Sequence, residues 1–119
     1  MSRTAPIYPL ETVKQLAKEG NRVVYSARAD RRSRSLGFTR EQANEVIAWL
    51  TPDEYDRSLR YTSTGLTWDV YIVPGRLRPS ARKLYIKLRI PSPSVLDQLA
   101  VTSFHDEDMD TDKEDPTFP

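Results

Sequence analysis

Lys83-Leu84-Tyr85-Ile86-Lys87-Leu88-Arg89-Ile90 alternates without a break. Leu84, Ile86, Leu88 and Ile90 share one parity, and Tyr85, Lys87 and Arg89 share the other. Successive side chains of a β-strand point to opposite faces, so this run presents one apolar face and one face of phenol, ammonium and guanidinium. The apolar face suits a core. The other face sets two cations and an aromatic hydroxyl on rigid backbone, a combination suited to phosphates and bases.

The same period extends on both sides of this strand. Residues 55–63 (YDRSLRYTS) and 66–73 (LTWDVYIV) read as strands joined by a turn at Thr64-Gly65, and residues 97–104 (DQLAVTSF) read as a last strand. Residues 74–82 (PGRLRPSAR) and the Pro-Ser-Pro-Ser run from Pro91 read as loops.

Upstream of Pro52 the period is helical. Residues 10–19 form a helix with Val13, Leu16 and Ala17 on its apolar side, Pro9 in its first turn and Gly20 as its left-handed stop. A short strand over residues 21–25 follows. Ser26 can cap a very basic helix over residues 27–35, which carries Arg28, Arg31, Arg32 and Arg34. Thr39 and Gln42 have capping-box spacing, and Ala43, Val46, Ile47 and Leu50 recur at helical intervals up to Thr51-Pro52. Helices first and strands afterwards predict an α+β domain, with the N-terminal helices packed on one face of a mostly antiparallel sheet.

The chain of 119 residues is long enough for one domain with one core. It has no cysteine and one histidine, His105, which excludes a disulfide framework, a thiolate metal site and a histidine metal cluster. No apolar run approaches the length of a membrane span, and residues 1–14 lack the apolar stretch of a signal peptide. A cytoplasmic protein with no membrane partner is expected. There is no glycine-rich phosphate loop, and no Ser-His-Asp set can form unless His105 is recruited.

The net charge of +1 conceals an asymmetry. Residues 105–119 hold seven acids and one base, leaving seventeen bases and ten acids in residues 1–104. A body of about +7 with a tail of about −6 is expected, as residues 1–104 and 105–119 respectively. The tail is too polar to offset its ordering entropy and reads as disordered; it serves solubility or competes with RNA for the basic body. The basic body has the electrostatic footprint of a nucleic-acid binder. A metal-free chemistry built on Arg, Lys and Tyr suits RNA cleavage by the substrate's own 2′-hydroxyl.

Several ordered segments carry a family resemblance. ETVKQLAKEG (residues 11–20), SAR (26–28), LGFTREQANEVIAWLTPDEYDRSL (36–59), WDVY (68–71), LYIKL (84–88) and SF (103–104) resemble, in order and spacing, the MqsR family of toxins. The resemblance spans about residues 6–106. It implies a RelE-like fold and a type II toxin–antitoxin endoribonuclease, an mRNA interferase that cuts messenger RNA without a cofactor in a GCU context. Such an enzyme arrests translation and growth until a cognate antitoxin, with a helix-turn-helix DNA-binding domain, holds it inactive.

Carried over residue by residue, the family's strand lysine falls on Arg57, which keeps the charge but is a poor proton donor. The family's tyrosine and lysine of Tyr-Leu-Lys fall on Tyr85 and Lys87. The family has a glutamine between the tryptophan and Asp-Val-Tyr; here Trp68 is followed directly by Asp69, so that glutamine is deleted or replaced by Trp68 itself. Ile7 or Tyr8 stands near the family's N-terminal histidine. Catalysis is thus expected from Arg57, Tyr85 and Lys87, with RNA contacts from Arg28, Arg31, Arg32, Arg60, Trp68, Arg76, Arg78 and Arg89. Asp56 and Asp69 are the acidic candidates for proton acceptor.

Two ambiguities belong to strand phase. Arg57 shares parity with Tyr55, Leu59 and Tyr61, so it lines a cleft, or the phase slips and Asp56, Ser58 and Arg60 line it instead. Trp68 shares parity with Val70 and Ile72 and reads as core or as a stacking platform. A non-catalytic RNA-binding module and a module that only binds an antitoxin are the alternatives to an enzyme.

Overall fold

The computed structural model describes residues 5–74, 83–91 and 98–106. Three helices, α1 (Leu10–Glu19), α2 (Ala27–Ser35) and α3 (Arg40–Ala48), precede and flank the sheet. Its strands are β1 (Val23–Tyr25), β2 (Tyr55–Arg60), β3 (Thr67–Val73), β4 (Leu84–Arg89) and β5 (Leu99–Asp106). They lie in the order β1-β5-β4-β3-β2. β1 runs parallel to β5, and the other three pairs are antiparallel. The fold is therefore the expected α+β arrangement, with one parallel edge.

The helix ends follow their sequence signals. Gly20 adopts φ +79° and its N–H bonds the Leu16 carbonyl at 3.0 Å, closing α1 in a conformation that side chains resist. The Ser26 hydroxyl accepts from Ala29 N–H at 3.1 Å and starts α2. Thr39 and Gln42 form the reciprocal box: Gln42 N–H donates to Thr39 Oγ1 at 3.1 Å, and Thr39 N–H to Gln42 Oε1 at 2.9 Å.

The apolar stripes of α1 and α3 meet one face of the sheet. Val13, Leu16, Val46, Ile47 and Leu50 pack there with Tyr71, Val73, Leu84, Ile86, Leu88 and Phe104. Each such aliphatic side chain contributes about 1.5–3 kcal/mol through burial. The charged helix α2 packs along β5, with Ala29 and Ser33 turned inward.

Asp69 ties the N-terminal segment to the sheet. It is fully buried, and its carboxylate accepts from Ile7 N–H at 3.1 Å, Tyr8 N–H at 2.8 Å and Ser58 Oγ at 2.6 Å. The position near which the family carries a histidine is thus occupied by backbone donors to this aspartate.

Several strand boundaries differ from the expected ones: β1 begins at Val23 rather than at residue 21, and β3 at Thr67 rather than at residue 66. β2 ends at Arg60, three residues early, where Tyr61 and Leu66 close the turn with a 2.9 Å backbone bond. β5 continues to Asp106, two residues into the segment that composition marks as acidic tail. Residues 107–119 of that tail, and Arg76 and Arg78, lie outside the described residues.

Candidate active site

The sheet face turned away from the main core has a separate, smaller cluster: Leu59, Val70 and Tyr85, with Tyr61 and Ile72 against them. Register explains its membership. Arg57 pairs with Val70, Leu59 with Trp68, Val70 with Lys87, Ile72 with Tyr85, and Tyr85 with His105. Cross-strand partners share a face, so Arg57, Trp68, Tyr85, Lys87 and His105 all belong to it.

Two β-bulges set this arrangement. In β2 the register shifts between Tyr55 and Arg57, leaving Asp56 as the extra residue. Tyr55 therefore packs edge-on to Tyr71 on the helix side, at 5.8 Å between ring centroids, while Arg57 faces the opposite way. In β5 the partner of Lys87 is Ser103 and that of Leu88 is Val101, so Thr102 is extra. Leu99 and Val101 point to the core, yet Ser103 and His105, of the same parity, point to the other face. Bulges of this kind re-aim side chains, and they concentrate beside functional sites. The Thr102 carbonyl accepts from the Ser26 hydroxyl at 3.2 Å, and the Val101 carbonyl from Ser26 N–H at 2.9 Å, so the N-terminus of α2 anchors the second bulge.

Of the expected catalytic residues, Arg57 and Tyr85 meet, and Lys87 shares their sheet face. Arg57 Nη2 lies 3.4 Å from the Tyr85 hydroxyl, at the outer limit of a hydrogen bond, and its guanidinium carbon is 5.7 Å from the ring centroid. The other arm of Arg57 reaches the Asp56 carboxylate at 2.5 Å. The Lys87 ammonium donates to the Tyr61 hydroxyl and lies 4.9 Å from the Tyr61 ring centroid and 6.0 Å from that of Trp68. Arg89 places its guanidinium 5.3 Å from the Trp68 ring centroid and donates from Nε to the Thr67 carbonyl at 3.1 Å. The Trp68 indole N–H is buried with no partner among the described residues. Trp68 belongs to this face rather than to the main core.

Exposure divides the set. Tyr85, Lys87 and His105 are 5%, 0% and 1% exposed, whereas Arg57 is half-buried. Arg57 is the cation nearest to solvent among the three proposed catalytic groups, and the others lie beneath the surface.

His105, which composition assigned to the acidic tail, lies on this face as well. Its ring stacks on Tyr85, with 5.0 Å between centroids and 11° between planes. Its Nδ1 lies 2.7 Å from the Asp106 carbonyl oxygen. A carbonyl only accepts, so Nδ1 carries the proton and Nε2 carries the lone pair. Burial pushes its pKa below the ordinary 6.5; the Asp106 carbonyl pulls the other way, and the charges of Arg32 and Lys87 lower it further. His105 is therefore neutral at pH 7. A signal was present in the chain: continuing period two beyond Phe104 reaches His105, but the acids that follow masked it as tail.

Other candidates sit elsewhere. Ser58 and Arg60, on the opposite parity from Arg57, face the helix side, and Arg60 is exposed there. Arg28 and Arg31 are exposed on α2, and the structure does not bring them to the Arg57–Tyr85 pair. Arg34 and Arg40 converge on Asp30, whose carboxyl is held below the usual range: desolvation opposes this, and the two guanidinium hydrogen bonds outweigh it. Arg40 also covers the Tyr25 ring at 3.8 Å. Asp69, engaged by three donors on the helix side, is removed from the proton acceptors. Burial pushes the Tyr25 and Tyr71 phenols well above their ordinary value.

Among the described residues no three His, Cys, Asp or Glu side chains gather as a metal site, and no helix is long and apolar enough to cross a membrane. A family model described as motility quorum-sensing regulator, toxin of MqsA, matches residues 5–106. A comparison with curated proteins gave no match.

Proposed function

Because the chain belongs to the MqsR toxin family, the toxins of MqsA, we propose that it is a ribonuclease that cuts messenger RNA through the substrate's own 2′-hydroxyl. The family supplies the coarser statement, a toxin of a toxin–antitoxin pair. The observation that carries the finer one is the Arg57 guanidinium set against the Tyr85 hydroxyl, with the Lys87 ammonium on the same sheet face.

In this reading Arg57 and Lys87 stabilise the charge that builds on the phosphate as the 2′-oxygen attacks. Tyr85 gives its proton to the departing 5′-oxygen. The products are a 2′,3′-cyclic phosphate and a 5′-hydroxyl end. A guanidinium offers the fork geometry that suits two phosphate oxygens. Arg89 and Trp68 extend the same face by one more cation and one aromatic plane, which suits a neighbouring phosphate and base. Arg57 meets the phosphate first, and the face must open for Tyr85 and Lys87 to follow. The cognate antitoxin is the protein partner that restrains this activity, in the cytoplasm where messenger RNA is translated.

The test is direct. Purified protein incubated with single-stranded RNA in EDTA is expected to yield 2′,3′-cyclic phosphate and 5′-hydroxyl ends. Intact RNA, or cleavage that appears only on adding magnesium, would overturn the reading.

A further inference from the structure

The reaction needs a group that removes the 2′-hydroxyl proton, and neither Asp69 nor Asp56 is placed to supply it. Asp69 lies on the far face with three donors on its carboxylate. Asp56 is bound to Arg57, where it neutralises part of the phosphate-binding charge. Tyr61 accepts from Lys87. His105 differs from all of these. The second bulge turns it onto the catalytic face, its ring lies flat against Tyr85, and its Nδ1–H is committed to the Asp106 carbonyl.

Resting on the ribonuclease reading above, we infer that His105 is the catalytic base: its Nε2 takes the proton from the attacking 2′-hydroxyl. The O2′–H bond breaks and the proton moves to Nε2, giving an imidazolium. The O2′–P bond forms and the P–O5′ bond breaks. The O5′ oxygen receives the Tyr85 hydroxyl proton, leaving a phenolate. Imidazolium and phenolate then stand as stacked neighbours, and proton transfer through water from the first to the second restores both. Nothing is oxidised or reduced, and no further reactant is needed.

The surroundings suit the role. The groups that face the ring are Tyr85 and Lys87 from β4, Arg32 from α2 and Asp106 from its own strand. Burial and the two cations keep the ring neutral and so able to accept a proton at pH 7. The backbone bond at Nδ1 does for this imidazole what a buried carboxylate does in other acid–base pairs: it holds the tautomer and the ring plane. The orienting group is a neutral backbone carbonyl, while the Asp106 carboxylate acts on the ring through its charge and opposes the two cations.

The experiment uses the full chain. The cleavage rate of the wild type should rise with pH along a limb centred below about 6.5, the ordinary histidine value. His105→Gln should lose that limb and cut about a hundredfold more slowly at pH 7.5. It should still bind an uncleavable 2′-deoxy analogue of the RNA as the wild type does. A purely positioning role would lower the rate but leave the pH limb in place. Wild-type rate and pH limb in His105→Gln would overturn the inference while leaving the ribonuclease reading standing. No cleavage by the wild type would overturn the ribonuclease reading and this inference together. Should the variant fail to fold, the histidine ¹⁵N spectrum of the wild type at pH 7.5 decides. A protonated Nδ1 with a bare Nε2 supports the base, and a protonated Nε2 refutes it.

Discussion

Ile86 and Tyr85 are neighbours in one strand and belong to different parts of the molecule. Ile86 is fully buried against Phe104 and the helices, in a face built of aliphatic and aromatic carbon. Tyr85 points the other way, into a face where, among the described residues, Leu59, Val70 and Ile72 pack beside arginine, lysine, tryptophan, tyrosine and histidine side chains. The first face holds the fold together by area. The second gathers charges that repel one another, with Arg57 on β2 two strands away from Lys87 and Arg89 on β4. It gains little from hydrophobic burial and depends on the first for its rigidity. A strand alternation lets one segment serve both ends without compromise between them.

The sharpest way to break this contrast is to damage each face separately. Ile86→Ala should cost about 2–5 kcal/mol of stability, by lost transfer energy and an unfilled cavity, as read by urea denaturation. Cleavage per folded molecule should change little. Asp69→Ala should cost about 3 kcal/mol, because the Ile7 and Tyr8 N–H groups and the Ser58 hydroxyl lose their acceptor. Faster proteolysis near the N-terminus would confirm the cause; an unchanged unfolding midpoint would contradict it.

On the other face the effects should fall on activity. Tyr85→Phe removes one oxygen and no packing. Cleavage should drop at least about tenfold, equivalent to about 1.4 kcal/mol in the barrier. The unfolding midpoint should barely move. Equal cleavage by the two proteins would remove Tyr85 from the mechanism.

The smallest expected effect is on pH. A histidine whose folded pKa is depressed stays neutral in the fold and takes up its proton first in the unfolded chain. Stability from this group is full above its ordinary 6.5 and is lost as pH falls from there through the depressed folded value. Wild-type stability should therefore decline more between pH 7.5 and 5.5 than that of His105→Gln. Parallel declines would mean that His105 titrates alike in both states.

Much of this architecture was legible in residue order. The capping signals at Ser26 and Thr39, the stripes of α1 and α3, and the alternation of β4 rest on neighbours within a turn or a strand, and local chemistry suffices to read them. The alternation of β4 also set Tyr85 and Lys87 on one face, but whether Arg57 or its neighbours Asp56, Ser58 and Arg60 joined them stayed open. The phase of β2 and β5 did not follow. A bulge adds one residue and reverses every side chain beyond it, and parity within one strand carries no record of that. Tyr55 and Arg57 share parity and face opposite ways; so do Val101 and His105.

What the sequence by itself determined is the element order and the alternating apolar and cationic character of the central strand, because both depend on spacings of four residues or fewer. What only the tertiary structure decided is which partner each residue meets across the sheet. That choice depends on the register of strands far apart in the chain, and on Ser26 anchoring the backbone at Val101 and Thr102. His105 reaches Tyr85 for that reason, and nothing nearer to it in the chain requires it.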